Sequence, residues 1–300
     1  MHKAHLSFFS FPLQKVIVIV GPTASGKTKY AVEKAKSIGG EIINCDSLQV
    51  YNDLRILTSF PKEEETFGVK HKLFGYLNYD EKISAVSWAR SAASEIKKTF
   101  HSGKVPIIVG GTGLYIKTLI EGISPIPEIS HENRKTANSL AKTNFQQLQQ
   151  TLYNLAPELK EIFTSKNHRQ LIRAYEIFLE TGKSIKYFTS LPKIEFIKNV
   201  EFDINLLEPE RNELYQRINS RFELMLKSGA IEEIESLLQK MNLKNRMEIF
   251  KKYPIFNAIG AKEITLYLDG IYSFEKMKEV SMMNSRHYAK RQITWFKHQL

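Results

Sequence analysis

Short apolar runs alternate with segments of helical spacing over the first 120 residues of the chain. Residues 15–20 form a β-branched run that leads into a glycine-rich stretch, and the spacing of apolar residues that follows is helical. Residues 41–45 and 105–109 are further short apolar runs, and glycines that can end a helix precede each of them. Strands that alternate with helices in this way predict an α/β fold with a parallel sheet flanked by helices.

The composition changes after residue 122, where the chain becomes polar and rich in Lys, Gln and Asn. Helical spacing there predicts helices over residues 132–142, 144–154 and 169–180. The strand-like residues 200–206 then return the chain to the sheet. We therefore predict a core of residues 1–122 and 200–300, into which residues 123–199 are inserted as a mobile helical subdomain.

Two long helices are predicted in the C-terminal third. Pro209 is expected at the first position of one helix and Gly229 at its C-terminal cap, and its apolar face carries Leu214, Ile218, Phe222 and Met225. The other helix runs from about Ser273 to the end of the sequence and interleaves basic residues with Tyr288, Trp295 and Phe296. A basic helix with aromatic residues indicates a nucleic-acid surface, and packing of the aromatic rings on the core is the alternative.

The charge balance and the single cysteine narrow the class of protein. The formal net charge is +11 and the pI is about 9.4, which favours a polyanionic partner, although net charge alone is also compatible with a basic enzyme that has no such partner. Cys45 is the only cysteine, which excludes an internal disulfide and a cysteine-based zinc site. No apolar run is long enough to span a membrane, and residues 6–11 lack the cleavage site of a signal peptide, so we expect a cytoplasmic protein.

The most informative motif is GPTASGKT at residues 21–28, which matches the phosphate-binding pattern G-x-x-x-x-G-K-[ST]. Glycines at the first and sixth positions let the backbone approach an anion, and Lys27 places a charge on the terminal phosphate. The hydroxyl of Thr28 can hold a magnesium ion that bridges two phosphates. We expect the phosphate chain of a ligand to bind Gly21, Pro22, Thr23, Ala24, Ser25, Gly26, Lys27 and Thr28.

Asp46 follows the second predicted strand, and the carboxyl ends of parallel strands face the ligand crevice. We therefore expect Asp46 near the phosphate loop, with a helix N-cap as an equal alternative. The later strand ends in Gly110-Gly111-Thr112-Gly113 rather than in the aspartate that holds magnesium in many phosphate-loop ATPases. A motor or switch ATPase is thereby disfavoured, and a small kinase or another group transferase fits better.

Arg217 and Arg221 lie four residues apart on one predicted helix, a spacing that suits a clamp on phosphate. The alternative for both side chains is that they are surface charges whose aliphatic stems cover apolar neighbours.

Together these segments resemble the tRNA dimethylallyltransferase family, also called tRNA isopentenyltransferases. The resemblance is carried by GPTASGKT at 21–28, DSLQVY at 46–51, VGGTGLYI at 109–116, RQLIRAYEIFLETGKS at 169–184, RNELYQRINSRFELMLKSGAIEEI at 211–234, AIGAKEI at 258–264 and YAKRQITWF at 288–296. It covers nearly the whole chain in the family's order. With a single cysteine and a sequence that ends after residues 295–296, a bacterial-type member is expected rather than one with a C-terminal zinc finger.

The resemblance implies transfer of a dimethylallyl group from dimethylallyl diphosphate to N6 of the adenosine on the 3′ side of the anticodon, in tRNAs that read codons beginning with U. It implies magnesium as cofactor, held at Thr28, and the anticodon stem-loop of tRNA as partner. Lys27, Thr28 and Arg221 are expected to stabilise the leaving diphosphate, and Asp46 to take the proton from N6. Nothing in the sequence demands more than a monomer.

The residues expected to contact tRNA come from five segments. They are Asp46, Ser47, Leu48, Gln49, Thr112, Arg134, Arg169, Gln170, Arg173, Lys290, Arg291 and Gln292.

Three segments depart from the family's pattern. The family's G-T-A-K-P run is Leu57-Thr58-Ser59-Phe60-Pro61 here, its Q-R-x-x-R run begins Arg169-Gln170, and the Tyr that follows A-I-G is Ala261. We expect these changes to affect tRNA choice and binding strength more than chemistry. A kinase on a similar core and a non-catalytic RNA-binding relative are the alternatives, and retention of the phosphate loop with Asp46 disfavours the second.

Overall fold

The computed structural model describes residues 13–242 and 248–300 of the chain. The apolar residues 6–11 considered above lie outside these ranges. The chain divides into two compact units, of which the first contains the residues up to Ile120 together with Phe196–Leu300 and the second is Glu121–Glu195. The helices that lie wholly within the second unit all fall inside residues 123–199, the range predicted for the inserted helical subdomain.

The elements follow one another in α/β order. The strands are β1 (Gln14–Val20), β2 (Gly40–Asn44), β3 (His71–Lys72), β4 (Val105–Gly110) and β5 (Val200–Leu206). The helices are α1 (Lys27–Ile38), α2 (Glu63–Thr66), α3 (Ala85–His101), α4 (Gly113–Glu121), α5 (His131–Thr143), α6 (Phe145–Leu155), α7 (Leu159–Ile162), α8 (His168–Thr181), α9 (Ile185–Thr189), α10 (Arg211–Lys227), α11 (Ala230–Met241), α12 (Ile249–Lys252), α13 (Ala261–Leu268) and α14 (Phe274–Gln299). A short 3-10 turn covers Pro254–Asn257.

The first unit is built on a five-stranded parallel sheet of order β3-β2-β4-β1-β5. Val18 on β1 pairs with Ile108 on β4 and with Ile204 on β5, so β1 is flanked on both sides. The predicted α/β class with a parallel sheet is confirmed. The two-residue edge strand β3 was not predicted, because an element of that length has no periodicity to detect.

Both faces of the sheet are covered by helices. Val16, Val18 and Val20 pack with α3, α4 and the end of α14, whereas Ile17 and Ile19 pack with α1 on the other face. A strand that is buried on both faces has a continuous apolar sequence rather than an alternating one, as residues 16–20 show. This packing fixes the end of β1, from which the phosphate loop starts.

The start and end of α10 differ from the prediction. The helix begins at Arg211 because the carboxylate of Glu210 accepts hydrogen bonds from the amides of Asn212 and Glu213, and Pro209 therefore lies outside it. Ser228 caps its C-terminus, and Gly229, with φ of 98°, is instead the N-cap residue of α11. The predicted apolar face is confirmed for Leu214, Ile218 and Phe222, which are buried, whereas Met225 is half-buried.

The C-terminal helices pack around the segment that follows β2. Val50, Leu54 and Leu57 form one core with residues of α10, α11, α13 and α14. Glu233 on α11 fixes this segment because its carboxylate oxygens accept the amides of Ile56 at 2.8 Å and Leu57 at 3.0 Å. The residues that follow Leu57 are thereby held at one wall of the site described below.

The second unit has a small core of its own, in which Leu148, Leu152, Leu171 and Ala174 are fully buried. Its chain entry and exit are joined by an antiparallel bridge between Ile123 and Ile194. Within the described ranges, the helices lack the combination of length and apolar content that crossing a membrane requires.

Candidate functional site

The phosphate loop connects β1 to α1, and two glycines determine its course. Gly26 precedes α1 with φ of 90°, a left-handed conformation that other residues rarely adopt. A Cβ atom on Gly21 would lie 2.5 Å from the carbonyl oxygen of Leu207, so only glycine allows this close approach. The first amides of α1 have no partner within the helix, and a helix N-terminus that follows a glycine-rich loop is a site that binds anions.

Lys27 is folded back onto its own loop. Its Nζ atom donates a hydrogen bond of 2.6 Å to the carbonyl oxygen of Pro22. Burial lowers the pKa of this ammonium from 10.5 to about 8, the negative charge of Asp46 opposes that shift, and the charge of Arg221 adds to it. An incoming diphosphate would add negative charge beside this buried ammonium and so favour its charged form.

Helix α10 supplies two arginines to the loop. Arg221 donates a hydrogen bond to the hydroxyl of Thr23, and burial lowers its pKa while Asp46 raises it. Arg217 pairs with Glu213 and lies 4.0 Å from the position of a Cβ atom on Gly26. The predicted placement of both arginines at a phosphate site is therefore supported by their positions.

Asp46 follows β2 and begins a tight turn rather than a helix. Its amide donates to the side-chain oxygen of Asn44 at 2.8 Å, and its Oδ1 accepts the amide of Leu48 at 2.9 Å. In the described chain, Oδ2 of Asp46 makes no hydrogen bond. The N-cap alternative is thus wrong, and one carboxylate oxygen remains available to a substrate.

These groups surround two cavities that share a wall. The larger, of about 380 Å³, is lined by the phosphate loop together with Asp46, Arg217 and Arg221. The smaller, of about 70 Å³, has an apolar part formed by Leu48, Leu57, Ile218, Phe222, Met225, Ala258 and Ile259, and it is also lined by Ser285 and Tyr288. The shared wall consists of Thr23, Asp46, Thr58 and Arg221. The site therefore has a cationic side and an apolar side that meet at Asp46 and Arg221.

Gln292 on α14 has a different environment from the one expected of a tRNA contact. Its side chain is buried, Oε1 accepts the amide of Thr23 at 2.8 Å, and Nε2 donates to the carbonyl oxygen of Gly111 at 2.9 Å. A Cβ atom on Gly111 would lie 2.2 Å from that Nε2. Gln292 thus joins the phosphate loop to the glycine-rich turn after β4.

The aromatic residues near the end of α14 follow the alternative interpretation. A Cβ atom on Gly113 would lie 2.2 Å from the ring of Trp295, and Phe296 is buried against the sheet. Lys290 and Arg291 on the same helix are exposed. The helix therefore packs its aromatic residues on the core and presents its basic residues to solvent.

The turn after Asp46 is fixed by the glycine-rich turn and by the segment after Leu57. The amide of Ser47 donates to the Thr112 hydroxyl at 3.0 Å. Gln49 Nε2 donates to the carbonyl oxygens of Thr58 at 3.0 Å and Ser59 at 2.9 Å. Ser47, Gln49 and Thr112 were expected to contact tRNA, and of these three Gln49 lines the larger cavity.

The segment Leu57-Thr58-Ser59-Phe60-Pro61 lines the larger cavity through Thr58 and Ser59, so its departure from the family's pattern bears on the phosphate side. Ser59 adopts φ of 53°. Phe60 packs edge-on against Phe74 at 5.6 Å, and the guanidinium of Arg55 lies 4.7 Å from its ring centre.

The expected tRNA contacts of the second unit lie on its helices α5 and α8. Arg134, Arg169 and Gln170 are exposed. Arg173 forms an ion pair of 2.9 Å with Glu176.

The residues present suit a magnesium ion bound at the phosphate loop, rather than one whose ligands all come from the protein. Among the described residues, no group of three or more His, Cys, Asp or Glu side chains could hold a metal ion. The Thr28 hydroxyl lines the larger cavity and makes no hydrogen bond within the described chain. Magnesium commonly binds through few protein oxygens, substrate phosphates and water, so Thr28 at a diphosphate site suits it.

Two side chains of the site were missed by sequence reasoning. Tyr288 lines the smaller cavity, and burial raises its pKa, as does the charge of Asp46. His71 lines the larger cavity from the edge strand β3. The spacing on α14 could have placed Tyr288 on the face that carries Ser285 and Gln292, whereas no pattern marked β3.

The comparisons with known proteins agree with this geometry. A family model described as IPP transferase matches residues 49–299. A tRNA dimethylallyltransferase of Rickettsia felis is 40% identical over 291 residues, which cover 96% of this chain and 91% of that protein. The tRNA dimethylallyltransferase of Ehrlichia ruminantium is 39% identical over 292 residues, covering 96% and 93% of the two chains.

Two solved structures are similar over nearly the whole chain. The tRNA delta(2)-isopentenylpyrophosphate transferase of Staphylococcus epidermidis is 35% identical with a TM-score of 0.65, covering 96% of this chain and 91% of that one. A eukaryotic dimethylallyltransferase described as acting on tRNA is 28% identical with a TM-score of 0.81, covering 94% and 69%. The match of the family model over residues 49–299 and the identity to these relatives show that the chain belongs to the IPP transferase family.

Proposed function

We propose that this protein transfers a dimethylallyl group from dimethylallyl diphosphate to N6 of the adenosine on the 3′ side of the anticodon, in tRNAs that read codons beginning with U. The products are the N6-dimethylallyl adenosine and diphosphate. The observation that carries the proposal is the shared wall of the two cavities, where Asp46 and Arg221 lie between a cationic side and an apolar side. The family membership supports the same reaction.

The larger cavity suits the diphosphate of the donor. Lys27, Arg221 and the first amides of α1 line it, and each donates hydrogen bonds to an anion. The apolar side chains of the smaller cavity, among them Leu57 and Ile218, suit the five-carbon group. A donor bound in this way has its C1–oxygen bond beside Asp46 and Arg221.

Transfer replaces one bond with another at C1 of the donor. The C1–oxygen bond breaks with both electrons going to the diphosphate, and the N6 lone pair of adenosine forms the new bond to C1. Positive charge from Lys27 and Arg221 stabilises the leaving diphosphate. The free carboxylate oxygen of Asp46 accepts the proton that N6 loses.

We propose that a magnesium ion binds at the hydroxyl of Thr28. Bound there, the ion would supply additional positive charge to the diphosphate oxygens.

The acceptor adenosine must leave the stacked anticodon loop to reach Asp46. Exposed basic residues of both units, including Lys290, Arg291, Arg134 and Arg169, can bind the phosphates of the stem-loop. We infer contacts from these side chains and from the turn that carries Ser47 and Leu48. A monomer in the cytoplasm remains the expected state.

The test is transfer of labelled dimethylallyl diphosphate, with magnesium, to an anticodon stem-loop with adenosine at the modified position. A loop with guanosine at that position is the negative control. In a parallel binding measurement, ATP replaces the donor. Label on the adenosine loop alone is the expected result. Binding of ATP without binding of dimethylallyl diphosphate would instead support a kinase, and donor binding with no label on either loop would point to another acceptor.

A further inference from the structure

His71 has an imidazole in which the two nitrogens have different surroundings. Nδ1 lies 2.8 Å from the carbonyl oxygen of Val69, and because a carbonyl only accepts hydrogen bonds, Nδ1 carries the proton. Burial lowers the pKa of the ring below its usual value, which favours the neutral form at pH 7. Nε2 is therefore a hydrogen-bond acceptor.

This acceptor is buried and has no partner. Among the described residues, Nε2 of His71 makes no hydrogen bond and exposes almost no surface to a water-sized molecule, so the side chains around it must shift before a ligand can reach it. The position of the ring is fixed by the pairing of His71 with Ile42 in the sheet and by Phe74, whose ring centre is 5.4 Å away. Buried polar atoms without partners are rare in folded proteins, so this one calls for a ligand.

His71 differs in kind from the other polar groups of the larger cavity. Lys27, Arg217 and Arg221 are donors that match an anion, and the buried Oγ of Ser25, which also lacks a partner, can donate to a phosphate oxygen. The lone pair of Nε2 would repel a phosphate oxygen, because both atoms are acceptors. Any group that lies between His71 and a phosphate oxygen would therefore have to be a hydrogen-bond donor.

Water bound to magnesium is such a donor. The ion retains several waters when few protein oxygens reach it, and the described residues offer no acidic cluster to replace them. A cation increases the acidity of the water bound to it, so such water donates strongly. Thr28, which we proposed as the magnesium ligand, lines the same cavity as His71.

We infer that Nε2 of His71 accepts a hydrogen bond from a magnesium-bound water when the metal–diphosphate occupies the larger cavity. His71 is then a positioning residue that acts on the metal through its water. The inference rests on the proposed binding of a magnesium–diphosphate at this loop.

Isothermal titration of inorganic pyrophosphate into the full chain, with and without magnesium, tests the inference without reference to turnover. The variants are His71→Phe, which removes the acceptor, and His71→Gln, whose amide oxygen can replace it. The matched control is His101→Phe, because His101 also has Nδ1 at 2.7 Å from a backbone carbonyl, that of Lys97, but is exposed at the end of α3. Thermal unfolding of each variant establishes that it is folded.

Magnesium should strengthen pyrophosphate binding to the unmodified chain and to the His101 variant equally. In His71→Phe we expect about a 3- to 10-fold weaker affinity with magnesium and an unchanged affinity without it, as loss of one hydrogen bond would produce. His71→Gln should recover part of the loss.

Equal weakening with and without magnesium, or no weakening, would overturn the role of His71 alone. Uptake of a proton that depends on His71, detected by titration in buffers of different ionisation enthalpy, would also overturn it, since a protonated ring would donate directly to phosphate. If the unmodified chain failed to bind pyrophosphate with magnesium, the proposed donor site would fail together with this inference.

Discussion

Arg221 on α10 donates a hydrogen bond to the hydroxyl of Thr23 in the phosphate loop. The bond connects the helix that lines the apolar cavity to the loop that lines the cationic one. If Arg221 exchanges this contact for the phosphate oxygens of a ligand, this one side chain would hold the ligand where the two cavities meet.

Replacing Arg221 with lysine should weaken the affinity for dimethylallyl diphosphate and slow transfer, because an ammonium retains the charge but not the planar set of donors. We expect a loss of about 10- to 100-fold in kcat/KM for the donor, of the size measured for strong charge-assisted hydrogen bonds. Steady-state kinetics with varied donor concentration measure it. Arg211→Lys, at an exposed position of the same helix, is the control and should behave as the unmodified chain.

Asp46→Asn should reduce transfer by about 100-fold or more, because the amide cannot accept the N6 proton, and general-base contributions are of this size. Pyrophosphate affinity should stay within a few-fold of normal, since the carboxylate is not a phosphate ligand. Single-turnover transfer and pyrophosphate titration separate the two effects. Asp203→Asn is the control, as Asp203 is partly exposed and pairs with Lys15 at 3.2 Å. Normal turnover in Asp46→Asn would show that another group takes the proton.

Gln292→Leu should lower both stability and donor affinity. The substitution leaves the amide of Thr23 and the carbonyl of Gly111 without their partners, and the cost of such unsatisfied groups is about 1–3 kcal/mol of unfolding free energy. Urea unfolding measures the first effect and pyrophosphate titration the second. Gln299→Leu, which removes the exposed contact with Lys117, serves for comparison. A variant as stable as the unmodified chain would contradict the bridging role.

Pyrophosphate binding should weaken as the pH rises above about 8, the pKa to which burial lowers Lys27. Diphosphate favours the charged ammonium and raises its pKa in the complex, so a proton must be taken up on binding at higher pH. The affinity should fall by up to about tenfold per pH unit, as linkage with one proton requires. Titrations between pH 7 and pH 10 measure the slope.

Lys27→Met should lose this pH dependence, and Lys29→Met, at an exposed position of α1, should keep it. Stability has the opposite trend. Since the folded pKa is below the unfolded value of 10.5, the unfolded chain holds the Lys27 proton more tightly between pH 8 and 10.5. The unfolding free energy contributed by this group therefore rises with pH in that window.

The parts of the site that were predictable from the sequence depend on local geometry. Residues 15–28 carry strand, loop and helix signals in succession, and the position of Asp46 follows from its place after a strand of a parallel sheet. Each signal lies within a few residues of the group it places.

The parts that were not predictable depend on contacts between distant residues. Gln292 is 269 positions from Thr23, and its basic neighbours Lys290 and Arg291 indicated an exposed surface instead of a buried bridge. His71 belongs to a two-residue strand that owes its existence to pairing with β2. Pro209 was predicted at the first position of α10, but the helix begins two residues later, at Arg211. Its N-cap is Glu210, a residue type that is not among the usual caps and that the sequence therefore did not mark.

The bridge made by Gln292 has a consequence for biosynthesis. The phosphate loop leaves the ribosome early, but the side chain that fixes the Thr23 amide is near the end of the chain. A nascent or prematurely terminated polypeptide would therefore present a phosphate loop without this contact. The contact that holds the phosphate loop would therefore form only after the last helix, α14, has been synthesised.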